Sequence, residues 1–279
     1  MKTLLSLFVA FVFIALLPAE TQIQEFQGEA YYFSKSKMEL GSWGARMTEA
    51  QKKQIQARLK NRLEKTYVLS FNKEESVFIE EEKIDAMSGA TDSWGKNFAR
   101  GEQYKNVKEN ALVQSQEFYG KRFLVKDKLQ KISWQMGSDS KQIGQYMCFK
   151  AITLIPTKEL LWYDFSWSDL EETTSDASES ATTTDSTIEE IPMTTVEAWY
   201  TLQIPVSHGP AEYYGLPGLI LEVSAGNTTM LCSKVVMNPE EKIEISAPEK
   251  GQEITKMEYR ETIQSKMLEM RNNRGRRRG

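Results

Sequence analysis

Gly218-Leu219-Ile220-Leu221-Glu222-Val223-Ser224-Ala225, then Gly226-Asn227, then Thr228-Thr229-Met230-Leu231-Cys232-Ser233-Lys234-Val235-Val236-Met237 reads as two strands joined by a tight turn. A two-residue glycine turn between alternating segments is a hairpin signal. The same period of two recurs outward from this stretch. Tyr67, Leu69 and Phe71 share one face, with Ser70 on the other. Phe123 and Val125 alternate with Leu124 and Lys126. Ile132, Trp134 and Met136 alternate with Lys131, Ser133 and Gln135, the cleanest amphipathic strand pattern in the chain. The pattern predicts further strands at 25–33, 76–81, 111–118, 143–155, 196–204 and 242–246. About ten short strands in succession argue for antiparallel sheet and against βαβ units.

Two helices interrupt the strands. Thr48-Glu49-Ala50-Gln51 is a capping box, after which Ile55, Leu59 and Leu63 recur every four residues. Lys52, Lys53, Arg58, Lys60 and Arg62 occupy the other side. Such a helix suits the cover of a sheet face, or less readily an anionic membrane surface. Thr255-Lys256-Met257-Glu258 is a second capping box, leading a helix to about Arg271 with Ile263, Met267 and Met270 on one side. The fold expected is therefore mostly β with a few covering helices. It is a curved antiparallel sheet or open half-barrel, with helix 48–64 on its concave side. That pattern resembles the periplasmic lipoprotein-carrier folds.

The chain has 279 residues, 40% of them hydrophobic, and a formal net charge of −4, enough for one core-bearing domain and no general field for nucleic acid. Lys2 followed by the apolar run Leu4 to Leu17 and Pro18-Ala19 predicts a signal peptide over 1–19. The run is shorter than the roughly 20 residues of a bilayer-spanning helix. No cysteine follows it, so the expectation is a soluble periplasmic product and not a lipoprotein. Residues 169–190 contain eight acids and ten Ser or Thr, a composition that predicts a disordered insert within a single 20–270 domain. The arginine-rich stretch 271–279 reads as a disordered basic tail, with no aromatic interleaving for base stacking.

The chemical inventory is thin. One histidine and two cysteines exclude zinc ribbons and iron–sulfur clusters. There is no G-x-S-x-G elbow, no H-E-x-x-H and no phosphate-cradling glycine loop. His208, in Pro205-Val206-Ser207-His208-Gly209-Pro210, is expected to be a solvent-satisfied loop histidine. Glu80-Glu81-Glu82 reads as a strand-end charge run, since three successive acids cannot share one face. No catalytic residue, metal ligand or cofactor site is predicted. Cys148 and Cys232 both fall mid-strand, and the pattern admits either a 148–232 disulfide or two buried thiols.

Val196-Glu197-Ala198-Trp199-Tyr200-Thr201, Ile204 to Pro210, and Tyr214-Gly215-Leu216-Pro217-Gly218-Leu219-Ile220-Leu221-Glu222-Val223 together resemble the GLPGLI family of exported Gram-negative proteins, whose name residues 215–220 spell. Similar stretches at 67–72, 123–134 and 143–151 extend the resemblance over most of the chain. The acidic insert and arginine tail depart from it. The resemblance implies an envelope protein with no established activity, with a TonB-dependent outer-membrane receptor as a partner. In the motif itself, Pro217-Gly218 fits the centre of a type II turn, which predicts positive φ at Gly218 and delivery of Leu219, Leu221 and Val223 to one strand face. Tyr213 and Tyr214 flank the turn as candidate anchors for a partner, beside Gly215, Leu216, Pro217, Gly218, Leu219 and Ile220. The function expected is a non-enzymatic binding or accessory protein that takes an acyl chain or a partner segment on an apolar concave face. The alternatives are a receptor accessory acting through exposed loops and a hydrolase with a carboxylate site.

Overall fold

Hydrogen-bonded pairing organises twelve strands into one sheet. They are β1 Gly28–Ser36, β2 Glu64–Phe71, β3 Glu75–Glu80, β4 Gln103–Asn106, β5 Ala111–Phe118, β6 Lys121–Lys128, β7 Gln135–Ile143, β8 Tyr146–Pro156, β9 Met193–Thr201, β10 Leu219–Ala225, β11 Thr228–Met237 and β12 Gln252–Ile254. Three helices accompany them: α1 Glu49–Leu63, α2 Thr157–Leu160 and α3 Lys256–Arg276. The computed structural model describes residues 26–38, 44–81, 100–163, 165 and 191–276. The expected signal peptide 1–19, the insert 169–190, Glu82 and residues 277–279 lie outside the described residues. Among the described residues no helix is long and apolar enough to cross a membrane.

The strand order is β12-β6-β5-β4-β3-β2-β1-β11-β10-β9-β8-β7. It consists of two meanders, β1–β6 and β7–β11, zipped antiparallel where β1 meets β11. The hairpin read first from the sequence is present. Ala225 pairs with Thr228, and Gly226 takes φ +54 between them. Only the short β12 runs parallel, on β6.

Chain connectivity shows that the sheet is curled. Ten strand spacings of about 4.8 Å separate β6 from β7, so on a flat sheet the two would stand about 48 Å apart. The chain from Lys128 to Gln135 reaches at most about 25 Å. The sheet therefore bends until its two ends approach, as the half-barrel expectation required. This crossing also explains a misread segment. Ile132 and Trp134 are partly buried against the core, but residues 129–134 form no strand, and Met136 is exposed at the start of β7. Period-two alternation there serves a crossing that sees protein on one side only. The strand expected at 242–246 is absent too, whereas β4 and β12 were not foreseen. Their sequences, Gln-Tyr-Lys-Asn and Gln-Glu-Ile, carry no apolar alternation.

One face of the sheet forms a continuous buried row. Ala30, Leu69, Phe78, Gln103, Gln114 and Val125 stand opposite one another from β1 to β6. The face is not covered by α1. That helix has the expected capping box at Thr48 and Gln51, but Ile55, Leu59 and Leu63 are only half-buried. Three residues supply too little apolar surface to close so wide a sheet. The inner face is filled instead by the β9–β10 loop, by residues 157–163, and by α3. Tyr259, Ile263 and Met267 of α3 pack on Phe118, Phe123, Val125 and Trp162. The Thr255–Glu258 capping box starts α3 as the sequence predicts. The helix continues past the expected end at Arg271 to Arg276.

Candidate functional site

Residues 202–218 connect β9 to β10 and carry most of the motif. Ile204, Val206, Ala211, Tyr213 and Leu216 are buried, so the loop lies inside the curl. Its anchor is Lys105 on β4, which has no exposed surface. The Lys105 ammonium donates to the carbonyl oxygens of Gly209 at 2.8 Å, Ala211 at 2.7 Å and Tyr213 at 3.2 Å. Three donors meet three acceptors, which uses the whole hydrogen-bonding capacity of the group. Ala211 is held at φ +53 to turn its carbonyl inward, a conformation that costs about 1–2 kcal/mol. Burial pushes the Lys105 pKa down to about 7, opposed by Glu212 and assisted by Arg100.

The loop is tied at its other side by the β6–β7 crossing. Trp134 Nε1 donates to the Tyr214 carbonyl at 2.8 Å, and the Tyr214 hydroxyl donates to the Gln130 carbonyl at 2.8 Å. From β1, the Tyr32 hydroxyl donates to the Ile220 carbonyl at 2.6 Å. Tyr213 is buried and Tyr214 is half-buried, so both tyrosines are engaged within the chain rather than presented on an open loop.

Two local expectations are corrected. Gly218 is not at positive φ; within the motif the left-handed residue is Gly215, at φ +91. Glycine is required at 218 for space, because a Cβ there would stand 2.0 Å from the Thr201 carbonyl oxygen. His208 is not a solvent-facing histidine either. It is fully buried, and neither ring nitrogen has a hydrogen-bond partner. Burial, then the charge of Lys105, lowers its pKa to about 3, opposed by the Asn72 backbone. The imidazole is therefore neutral and acts as a core ring near Phe71. Of the two cysteine alternatives, the structure shows free buried thiols at 148 and 232, their pKa values pushed up to about 11 chiefly by burial. Such thiols are poor nucleophiles.

Beside the loop, a groove of about 530 Å³ opens on the inner face. Tyr67 of β2, Val223 of β10, Met230 of β11, Tyr213 of the loop, and Leu160 and Tyr163 of the α2 segment line it. Leu63 at the end of α1 forms part of its rim. Arg100 reaches it from the strand side, its side chain 9% exposed. One guanidinium nitrogen of Arg100 donates to the Tyr163 hydroxyl at 2.9 Å, while Nε stands 3.8 Å from the Glu212 carboxylate. Gln103 holds the other oxygen of Glu212 at 2.9 Å.

Among the described residues no three His, Cys, Asp or Glu side chains group as a metal site. Arg100, Gln103, Lys105, Gln114 and Glu212 escaped the sequence reading. The available signal was the alternation Leu112, Gln114, Gln116, Phe118 on β5, where glutamines sit on the buried parity. A buried glutamine row implies a polar partner on that face.

Residues 134–222 match the model of a family described as a protein of unknown function (Porph_ging). The match begins at the crossing residue Trp134, contains the whole loop, and ends within β10. Two solved structures of PNGF-II, in the C2 and P21 space groups, align over 85% of this chain at 14% identity with a TM-score of 0.46. The chain spans about a third of that protein, 32% of its length being covered. No curated protein matches the chain.

Proposed function

We propose that this chain is a GLPGLI-family envelope protein that acts without catalysis, binding an acyl chain in the groove beside the motif loop. One observation carries the reading. The groove of about 530 Å³ lies within the roughly 300–1,000 Å³ range of small-ligand sites. Its leucine, methionine, valine and tyrosine side chains come from five separate elements and the motif loop, and serine, threonine, asparagine and basic side chains line the rest. The buried motif loop supports the same reading from the other side. Its polar groups are spent on the chain itself, so the loop serves as a strut that holds the groove wall at Tyr213. The signal segment at 1–19 and the receptor association expected from the family belong to this proposal as its cellular setting.

The test uses a neutral fluorescent acyl ester titrated into the protein. Saturable, blue-shifted emission is expected, and it should be lost in Leu161→Asp, which places a charge at an exposed position on the groove rim. Equal binding by that variant, with an unchanged melting curve, sinks the groove reading.

A further inference from the structure

Among the described residues, every charged one that lines the groove is basic: Arg62, Lys65 and Arg100. That is unexpected in a chain of net charge −4. Lys65 stands at the edge in an ion pair with Glu80 at 2.6 Å. Arg100 is different, being almost fully buried yet part of the groove wall. Its Nε has no hydrogen-bond partner, and the facing Glu212 oxygen at 3.8 Å is beyond hydrogen-bond reach. Among the described residues no carboxylate makes a hydrogen bond to the Arg100 guanidinium, whose polar partner is the Tyr163 hydroxyl. Buried positive charge is costly unless a counter-charge is brought to it.

We propose that the ligand of this groove carries a carboxylate or phosphate head group that seats on the Arg100 guanidinium, with its apolar tail along Leu63, Leu160 and Met230. The inference rests on the acyl-binding reading above and adds the chemistry of the head. A planar guanidinium pairs with either anion through charge-assisted hydrogen bonds, roughly twice as strong as neutral ones. The Nε donor that is unpaired in the free protein becomes paired in the complex. The anion also supplies the close contact that Glu212, 3.8 Å from Nε, does not make.

The experiment measures displacement of the neutral acyl probe by hexadecanoic acid, dodecyl phosphate, methyl hexadecanoate and inorganic phosphate. The acid and the alkyl phosphate are expected to compete about tenfold more tightly than the methyl ester, the value of one charge-assisted contact. Inorganic phosphate at millimolar concentration is expected not to displace the probe. Arg100→Gln should abolish the preference for the acid over the ester, read as the ratio of the two affinities in the same variant, while Arg100→Lys keeps part of that preference. Equal affinity of acid and ester for the wild-type protein overturns the head-group seat and leaves the acyl groove standing. That comparison needs no variant, so it decides the matter even if Arg100→Gln fails to fold. Displacement by inorganic phosphate alone overturns the tail. Failure of the neutral probe to bind overturns the groove and this inference together.

Discussion

Two parts of the inner face are built in opposite ways. On β4 and β5 the inward positions include Gln103, Lys105, Gln114 and Gln116, all buried, the last two between the apolar Leu112 and Phe118. On β8 to β10 the corresponding face presents Ala151, Ala198, Val196 and Val223, equally buried and almost wholly apolar. An apolar face accepts any apolar cover of suitable shape, because the hydrophobic effect is non-directional. A polar face accepts only a cover whose donors and acceptors match. Here that cover is the carbonyl row of Gly209, Ala211 and Tyr213 on Lys105. The polar half thus selects the loop's single position, and the apolar half supplies bulk stability.

The hardest blow to this contrast is Lys105→Met, which keeps the volume and leaves three buried carbonyls unpaired. A loss of about 3–5 kcal/mol in chemical denaturation is expected, against about 2 kcal/mol for Val196→Ala on the apolar half. If Lys105→Met costs no more than Val196→Ala, the matching of polar groups is not what seats the loop.

Gly218→Ala comes next. The added Cβ meets backbone at Thr201, which cannot swing aside as a side chain would. A loss of about 3 kcal/mol is expected, at the upper end of overpacking costs. An unchanged melting temperature would show that β9 and the loop are free to part at this point.

His208 sharpens the contrast through pH. Its folded pKa of about 3 lies below the 6.5 of the unfolded chain, so the native state binds fewer protons between those values. The histidine's contribution is therefore complete above 6.5 and falls as the pH drops through that window, by up to about 1.4 kcal/mol per unit. The carboxylates held low by hydrogen bonds, Glu197 and Glu258, add their loss only below 4.5. Between pH 6.5 and 5 the slope belongs to the histidine, about 2 kcal/mol in all. Denaturation of His208→Leu across that interval should be nearly flat; a slope equal to that of the wild type refutes the assignment.

The smallest effect is at Gly215→Ala, where the residue keeps φ +91 and the nearest atoms of Trp134 lie 3.9 Å from the new Cβ. Only conformational strain is added, about 1 kcal/mol. A loss larger than that of Gly218→Ala would reverse the steric argument for the two motif glycines.

Much of this molecule was open to sequence reasoning because the relevant forces are local. The hairpin at Gly226-Asn227, the capping boxes at Thr48 and Thr255, and the inward side of α3 depend on residues a few positions apart. Curvature was part of the expected fold, and the six-residue crossing from β6 to β7 enforces it. The functional neighbourhood was opaque for the opposite reason. Arg100 and Glu212 are more than a hundred residues apart, and Lys105 finds its acceptors at a similar separation. Nothing in the sequence around Lys105 distinguishes it from a surface lysine, nor His208 from a loop histidine, since burial is a property of what folds over a residue. Sequence alone determined strands, helix starts and an antiparallel mostly-β sheet, because hydrogen-bond periodicity and capping act over neighbouring residues. Tertiary structure alone decided that the motif loop turns inward, that its glycines answer different constraints, and that an arginine lines the groove. Those outcomes depend on which distant groups share the same low-dielectric interior.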